Sequence, residues 1–247
     1  YRKVRNTLRF LLGNAGENES ESVEPTSIDA WVLGELTKTV NIVTTSLRSY
    51  EFRIAQQTIY DFCNHTLSSI YLAAVKDRLY CDSVDSPRRN QTESTLRIIS
   101  DVLIRLLAPF MPHTADEAWR ALHGDSAVSV HLQQFSTVDF VCDEGWEIVI
   151  RVRDKALKAL EDAKESGIEN PLDAGLILPD SLKAFSEDDL ADLCGVSRVS
   201  YSGDGVEVQD LREEPRCDRS WKRDDTVRVR SDGGMLSDRD AKAVGVE

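Results

Sequence analysis

The sequence predicts a mainly α chain: a helix bundle over residues 1–122, a linker over 123–145, a small α/β subdomain over 146–210 and a polar tail over 211–247. Three observations predict it. Apolar residues recur at three- and four-residue intervals through the first half, which is the period of one face of a helix. Two short β-branched runs, "AGLILP" and "VSRVSYSG", follow, with a helical turn around residues 187–194 between them. The last 37 residues are charged and read as nearly core-free.

The first helix is "YRKVRNTLRFLLGN", with Val4, Leu8, Leu11 and Leu12 on its apolar stripe and Gly13 and Asn14 as its stop. An acidic, serine-rich loop, "ENESESVEPTS", separates it from a second helix starting at Ser27, where Leu36, Val40, Val43 and Leu47 repeat at helical spacing. The pattern resumes with Ala55, Ile59, Phe62, Ile70 and Ala73 and runs to about Tyr80; "DSVDSPRRNQT" is a turn. Leu96, Ile99, Leu103 and Leu106 mark the next long helix, which Pro109 and Pro112 close, because a proline supplies no N–H and clashes with the preceding turn. Thr114 and Glu117 have the spacing of a capping box for a short helix ending near Leu122. Long helices joined by short polar loops make a bundle. Beyond it, Ile148, Val152, Ala156, Leu160 and Ala163 share a face of a helix over 146–166.

An apolar content of 41% in 247 residues supports a packed core. No apolar run approaches the roughly 18 residues of a membrane helix, and no basic leader precedes an apolar stretch. The opening residues already read as mid-helix, so a piece of a longer protein is expected. Cys63, Cys81, Cys142, Cys194 and Cys217 are scattered without paired spacing, which predicts reduced thiols in the cytosol. Cys63, on an apolar stripe, is a small core residue. The net charge of −13 argues against a nucleic-acid partner until it is mapped. Residues 1–112 and 211–247 are each neutral, and the whole acidic surplus lies in 113–210. Binding through the two ends is therefore physically allowed. There is no Gly-rich phosphate loop, no GxSxG, no HExxH and no nucleophile beside a base.

Four stretches, "YRKVRNTLRFLLGN", "YDFCNHTLSSIYLAAVKDRLYCD", "RRNQTESTLRIISDVLIRLLAPFMPHTADEAW" and "VRDKALKALEDAKESG", occur in an order that resembles the C-terminal region of bacterial isoleucyl-tRNA synthetases. The likeness is strong over residues 1–122, fair to about 175 and weak beyond. The bundle ending in "APxxPxTAxExW" is shared more widely among class I synthetases, while "RNTLRFLLGN" with "YLAAVKDRLYCD" favours the isoleucine branch. The resemblance implies an anticodon-binding helix bundle that grips the anticodon stem-loop of tRNA(Ile). A separate upstream catalytic domain, using ATP and Mg, would attach isoleucine. The HIGH- and KMSKS-type signatures of that domain are absent from this sequence, so the piece is expected to catalyse nothing by itself. It is expected to be a cytoplasmic monomer with no membrane partner.

Family members often end in a zinc ribbon reading roughly CxRCW followed by LCxRC. The corresponding text here is "CDRSW" and "LSDRD". Cys217 matches the first ligand, while Ser220, Ser237 and Asp240 occupy the other three places. Zinc in structural sites takes about four ligands and favours thiolates, so the resemblance implies a degenerate ribbon-like tail whose zinc is absent. It also implies that Arg219 and Trp221 keep the positions of the ribbon's RNA-facing arginine and tryptophan.

The remaining candidates carry two readings each. Arg2, Lys3, Arg5 and Arg9 put four positive charges on one helix, either for phosphate contact or as a solvated face. Arg88 and Arg89 suit a phosphate or a base edge, or pair with Asp82 and Asp85. Lys76, Asp77 and Arg78 read as a local ion-pair network that fixes the bundle. Trp221, flanked by Arg219, Lys222 and Arg223, suits stacking on an unpaired base, or caps a ribbon core. Trp31 and Trp119, on amphipathic helices, are core. His65, His113, His123 and His131 show no ligand spacing. Two rival readings remain: a valine-type synthetase piece, and a helical protein-interaction module that binds no RNA.

Overall fold

The computed structural model describes residues 1–17 and 23–246. The acidic loop expected after the first helix lies partly outside the described residues. The chain is mostly helical and divides into two compact units, one of residues 1–73 and 90–142 and the other of 74–89 and 143–247.

The first unit begins with α1 (Arg2–Asn14), which buries Val4, Thr7, Leu8 and Leu11. Helix α2 (Ile28–Arg48) starts where a side chain satisfies an orphan donor: the Ser27 hydroxyl accepts the Ala30 N–H at 3.1 Å. It buries Trp31, Leu33, Leu36, Val40 and Val43. After a three-residue connection α3 (Phe52–Asp61) packs back on it through Ala55 and Ile59. At Phe62 the helix widens into a π-helical stretch, Phe62–Tyr71, before a short α4 (Leu72–Ala74). The Ser68 and Ser69 hydroxyls donate to the carbonyls five residues back, of Cys63 and Asn64, at 2.7 and 2.8 Å.

That wider turn corrects the expected stripe. A constant 3.6 period places Ile70 and Ala73 inside, but i→i+5 hydrogen bonding advances the register. Leu67, Tyr71 and Leu72 are buried instead, and Ala73 is exposed. Cys63 is buried as expected, and burial pushes its thiol up to about 12.

Helix α6 (Pro87–Leu107) carries Leu96, Ile99, Leu103 and Leu106 into the core, and α7 (Pro112–His123) follows, with Trp119 buried. Pro112 opens α7 at its first turn, where the missing N–H costs nothing. The expected capping box at Thr114 and Glu117 is therefore not formed: the helix begins three residues earlier, its N-cap is Met111, and no side chain caps it. Of residues 123–145, expected as a linker, 123 ends α7, 124–142 are anchored to the first unit and 143–145 belong to the second. The Phe140 N–H donates to Thr37 Oγ1 at 3.0 Å, and a Cβ at Gly34 would lie 2.9 Å from Cys142 Sγ, so only glycine admits that approach.

One buried carboxylate ties three segments of this unit together. Asp29, at the start of α2, accepts hydrogen bonds from the Tyr71 hydroxyl and from Thr92 Oγ1, the latter at 3.1 Å. All three residues are buried. A buried charge is tolerated only when it is hydrogen-bonded, so this contact fixes the π-helical stretch against α2 and α6.

In the second unit α5 (Lys76–Cys81) buries Arg78 and Leu79. Helix α8 (Trp146–Ala163) buries Trp146, Val149, Val152, Ala156 and Leu160, whereas Ile148, expected on that face, lies at its edge and is 44% exposed. A three-stranded sheet has β1 (Ala174–Leu178) in its centre, parallel to β2 (Arg198–Tyr201) and antiparallel to β3 (Glu207–Asp210). Leu176 stands opposite both Val199 and Val208. The parallel pair needs a crossover, which α9 (Glu187–Cys194) supplies between the Ser186 N-cap and Gly195, whose φ of +72° favours glycine.

The tail is not core-free. A two-stranded ribbon, β4 (Arg228–Val229) with β5 (Met235–Leu236), and α10 (Asp238–Val244) enclose Cys217, Val227, Leu236 and Ala241, all buried. These four are far apart in sequence and show no period, which is why no stripe announces them.

Tyr71→Phe should lower the stability of the first unit by about 1.5–3 kcal/mol, the cost of losing a hydrogen bond to a charged group. Urea denaturation followed by far-ultraviolet circular dichroism measures it.

Candidate nucleic-acid interface

Helix α1 presents Arg2, Lys3, Arg5 and Arg9 on an exposed surface. Arg2, Arg5 and Arg9 are spaced by three and four and so share one face. Lys3 lies round the helix, where its ammonium donates to Asn64 Oδ1 at 2.5 Å. The Arg5 guanidinium is 3.5 Å from Glu117 on α7, with both side chains exposed. Arg5 and Arg9 border a groove of 360 Å³ between α1 and α7, floored by Leu8, Leu12, Ala118 and Ala121.

Arg88 and Arg89 open α6, and their surroundings match the pairing reading. Arg88 forms a fork with Asp82, Nε and Nη2 each 2.9 Å from a carboxylate oxygen. Arg89 Nη1 donates to the Asp82 carbonyl at 3.1 Å. Arg88 is also 3.4 Å from Asp192.

Asp192 belongs to a larger chain of charges within the second unit. Arg78, 1% exposed, donates to Asp189 at 2.8 Å and to Asp192 at 2.9 Å. Lys222 bridges Asp192, at 2.9 Å, and Asp77, at 3.1 Å. Asp77 in turn pairs with Arg239, which reaches Asp240 at 3.3 Å. The ion-pair reading of Lys76, Asp77 and Arg78 thus takes a different form: Asp77 and Arg78 join segments more than 100 residues away rather than one another. Burial works to raise the Asp77 pKa, but the hydrogen bond from Arg239 and the charges of Lys222 and Arg239 hold it well below the usual carboxylate range. Burial likewise works against the Lys222 charge, and Asp192 and Asp77 overcome it, raising that pKa.

Trp221 stands at the corner of the tail with its side chain outward, 56% exposed. Its N–H donates to the Cys217 carbonyl at 3.0 Å, closing a turn that holds Trp221 at φ +64°. A residue with a Cβ costs about 1–2 kcal/mol in that left-handed region. Strain of this kind points to function when the surroundings enforce it. The basic neighbours differ from the expected ones. Lys222 is engaged with Asp77 and Asp192, and Arg223 with Asp173 at 2.7 Å. Arg216, which sequence reasoning missed, lies over the indole instead, its guanidinium 4.8 Å from the ring centroid. Arg216 and Arg223 face each other in a β-bridge across this turn, and nothing in the local sequence announces that pairing. Arg219 sits beside Trp221, its guanidinium donating to the Tyr80 carbonyl at 2.8 Å.

The four positions matching the zinc ligands do come together. Cys217 Sγ, Ser220 Oγ and Ser237 Oγ lie 3.0, 2.7 and 3.0 Å from one atom, Asp240 Oδ2. Among the described residues no three His, Cys, Asp or Glu side chains are grouped so as to hold a metal ion, and no helix is long and apolar enough to cross a membrane.

Because Asp77 and Asp240 both have depressed pKa values, their contribution to stability is complete above the unfolded carboxylate value of about 3.9 and is lost as pH falls below it. The urea midpoint of the second unit should be level from about pH 7 to 5 and fall below about pH 4. Asp77→Asn should start lower and fall less steeply, as read from urea titrations at each pH.

A family model described as the anticodon-binding domain of tRNA ligase matches residues 29–175. The chain is 31% identical, over 99% of its length, to the isoleucine–tRNA ligase of Brachyspira hyodysenteriae, and 34% identical, also over 99%, to that of Moorella thermoacetica. It is 37% identical over 72% of its length to the isoleucine–tRNA ligase of Carboxydothermus hydrogenoformans. It spans only 29%, 30% and 20% of those three proteins. The matched region takes in α2 to α8 and leaves α1 with its arginines outside, and the chain belongs to the family of anticodon-binding domains of tRNA ligases.

Proposed function

We propose that this chain is the tRNA-binding part of an isoleucine–tRNA ligase, which holds the anticodon stem-loop of tRNA(Ile). The catalytic domain of the parent protein would use ATP and Mg to attach isoleucine. The observation that carries the reading is the match along 99% of the chain to isoleucine–tRNA ligases of which it forms under a third. The parent acts in the cytoplasm, and this part works as a monomer alongside its catalytic domain.

The exposed cations of α1 and the outward Trp221 support a division of labour. Arg2, Lys3, Arg5 and Arg9 contact phosphates from α1, where each neutralised phosphate releases counterions. Trp221 stacks on an unpaired base, with Arg219 beside it. Arg88 and Arg89 act indirectly, by holding the turn before α6 through Asp82. Tail residues 211–246 form a degenerate zinc ribbon, and the strands over 174–210 with α8 and α9 form a small α/β subdomain. Binding energy gathered here orients the acceptor end in the catalytic domain, so the gain appears as rate there.

Fluorescence anisotropy with tRNA(Ile) and tRNA(Val) transcripts over a salt series tests this. Affinity should favour tRNA(Ile) and fall steeply with salt. Arg5→Gln should reduce the salt slope by about one, as expected for one lost phosphate contact. Trp221→Ala should weaken binding on the order of tenfold, matching a lost stack of about 1–3 kcal/mol, and Trp31→Phe should not. Preference for tRNA(Val) would move the chain to the valine branch. Salt-insensitive or absent binding would favour a protein-interaction module.

A further inference from the structure

The ribbon to which the tail is likened is organised by zinc, and the residues present do not fit that ion. A structural zinc site needs about four donors, preferably thiolates, at roughly 2.0–2.3 Å from a common centre. The tail offers one thiol, two hydroxyls and one carboxylate at Cys217, Ser220, Ser237 and Asp240. The convergence point is moreover occupied by one of these groups. Asp240 Oδ2 lies within 3.0 Å of Cys217 Sγ, Ser220 Oγ and Ser237 Oγ.

We propose that the Asp240 carboxylate has taken over the role of the metal ion as the hub of the tail, and that through it Asp240 positions the corner bearing Arg219 and Trp221. The second half rests on the tRNA-binding reading; the first does not. The hub inverts the polarity of a metal site. A cation that accepts lone pairs from four ligands is replaced by an anion that accepts hydrogen bonds from three donors. The thiol of Cys217 and the hydroxyls of Ser220 and Ser237 are the protons' sources, and all can donate at neutral pH.

The surroundings support the charge. The Asp240 side chain is fully buried, and the Arg239 guanidinium lies 3.3 Å from both of its oxygens. Arg219 Nε is 3.8 Å from Oδ1. Burial works to raise the Asp240 pKa, and the hydrogen bonds of Cys217 and Ser220 with the Arg239 charge and the Ser237 hydroxyl bring it below the ordinary carboxylate value. Ser237 closes the arrangement from the other side, since its hydroxyl also accepts the Asp240 N–H at 3.2 Å as the N-cap of α10.

The link to the corner is covalent and short. Ser220 is adjacent to Trp221, and Cys217 begins the turn that Trp221 closes, so two of the hub's three donors bracket that turn. With the carboxylate gone, those donors keep no common acceptor, and the strained φ of Trp221 loses the contacts that enforce it.

The test uses the 247-residue chain. In the triple variant Ser220→Cys, Ser237→Cys, Asp240→Cys, four thiols replace the hub. That variant should bind one zinc per chain, and its cobalt form should show the charge-transfer bands of a tetrahedral thiolate site. The unaltered chain, exposed to zinc and desalted, should retain none. A folded triple variant that binds no zinc, or an unaltered chain that keeps one zinc, would overturn the convergence. Asp240→Ala should speed hydrogen exchange at the amides of residues 217–222 at least tenfold while α2 stays protected. Asp240→Asn, which keeps the volume and one acceptor oxygen, should do so to a smaller extent, and unchanged exchange in both would overturn the hub. These readouts need no RNA. If Trp221→Ala loses tRNA affinity while Asp240→Asn, with its exchange increased, does not, the positioning role falls. If neither variant loses affinity, the stacking role of Trp221 fails and the positioning role falls with it, while RNA binding is judged by its salt dependence and the hub by zinc uptake and exchange.

Discussion

Charge neutralisation among buried and half-buried side chains is the constraint on which the C-terminal unit depends. Arg78, Asp192, Lys222, Asp77, Arg239 and Asp240 alternate in sign along a continuous path of contacts. A lone buried charge carries a desolvation cost of several kcal/mol, and deleting one partner of a buried pair costs about 3–5 kcal/mol. Each member of the path is thus held in place by its neighbours. Because hydrogen bonds to guanidinium and carboxylate are directional, such a path fixes geometry as well as composition. It joins α5, α9, the turn at Cys217 and α10.

The N-terminal unit is built the other way. Its interior is a broad apolar core of Leu, Ile and Val from α1, α2, α3 and α6, and a single carboxylate, Asp29, pins it where α2, the π-helical stretch and α6 meet. This contrast has a functional side. The helical unit offers a firm platform whose exposed arginines on α1 face solvent. The C-terminal unit turns Arg78, Lys222 and Arg239 toward buried or half-buried carboxylates, and leaves the corner at Arg219 and Trp221 outward. A chain with a net charge of −13 can still meet a polyanion if its acidic surplus lies elsewhere in the sequence, in 113–210.

Much of this was legible in the sequence where periodicity carries the information. The stripes of α1, α2, α6 and the burial of Trp31, Trp119 and Cys63 follow from 3.6-residue spacing. The π-helical stretch was not legible, since a constant period cannot report its own change; Ala73 was assigned to the wrong face for that reason, and Ile70 is half-buried. The tail's core escaped because Cys217, Val227, Leu236 and Ala241 are brought together by a β-ribbon and not by a local repeat. At the interface, the family resemblance pointed to Cys217, Ser220, Ser237 and Asp240 as a set, but their meeting at one oxygen is a property of three dimensions. The roles of Lys222 and Arg239 were hidden for the same reason, with partners up to 162 residues away. Equal numbers of acidic and basic residues in 211–247 were the only local hint that the tail pairs its charges.

Hydrogen exchange at the amides of residues 217–242, in the full chain, tests most directly whether paired charges rather than a metal hold the tail. Protection there should be unchanged when a strong zinc chelator is added to the unaltered protein, and should fall at least tenfold in Arg239→Gln, which cuts the path between Asp77 and Asp240. Loss of protection on adding the chelator, or full protection in Arg239→Gln, would contradict the account.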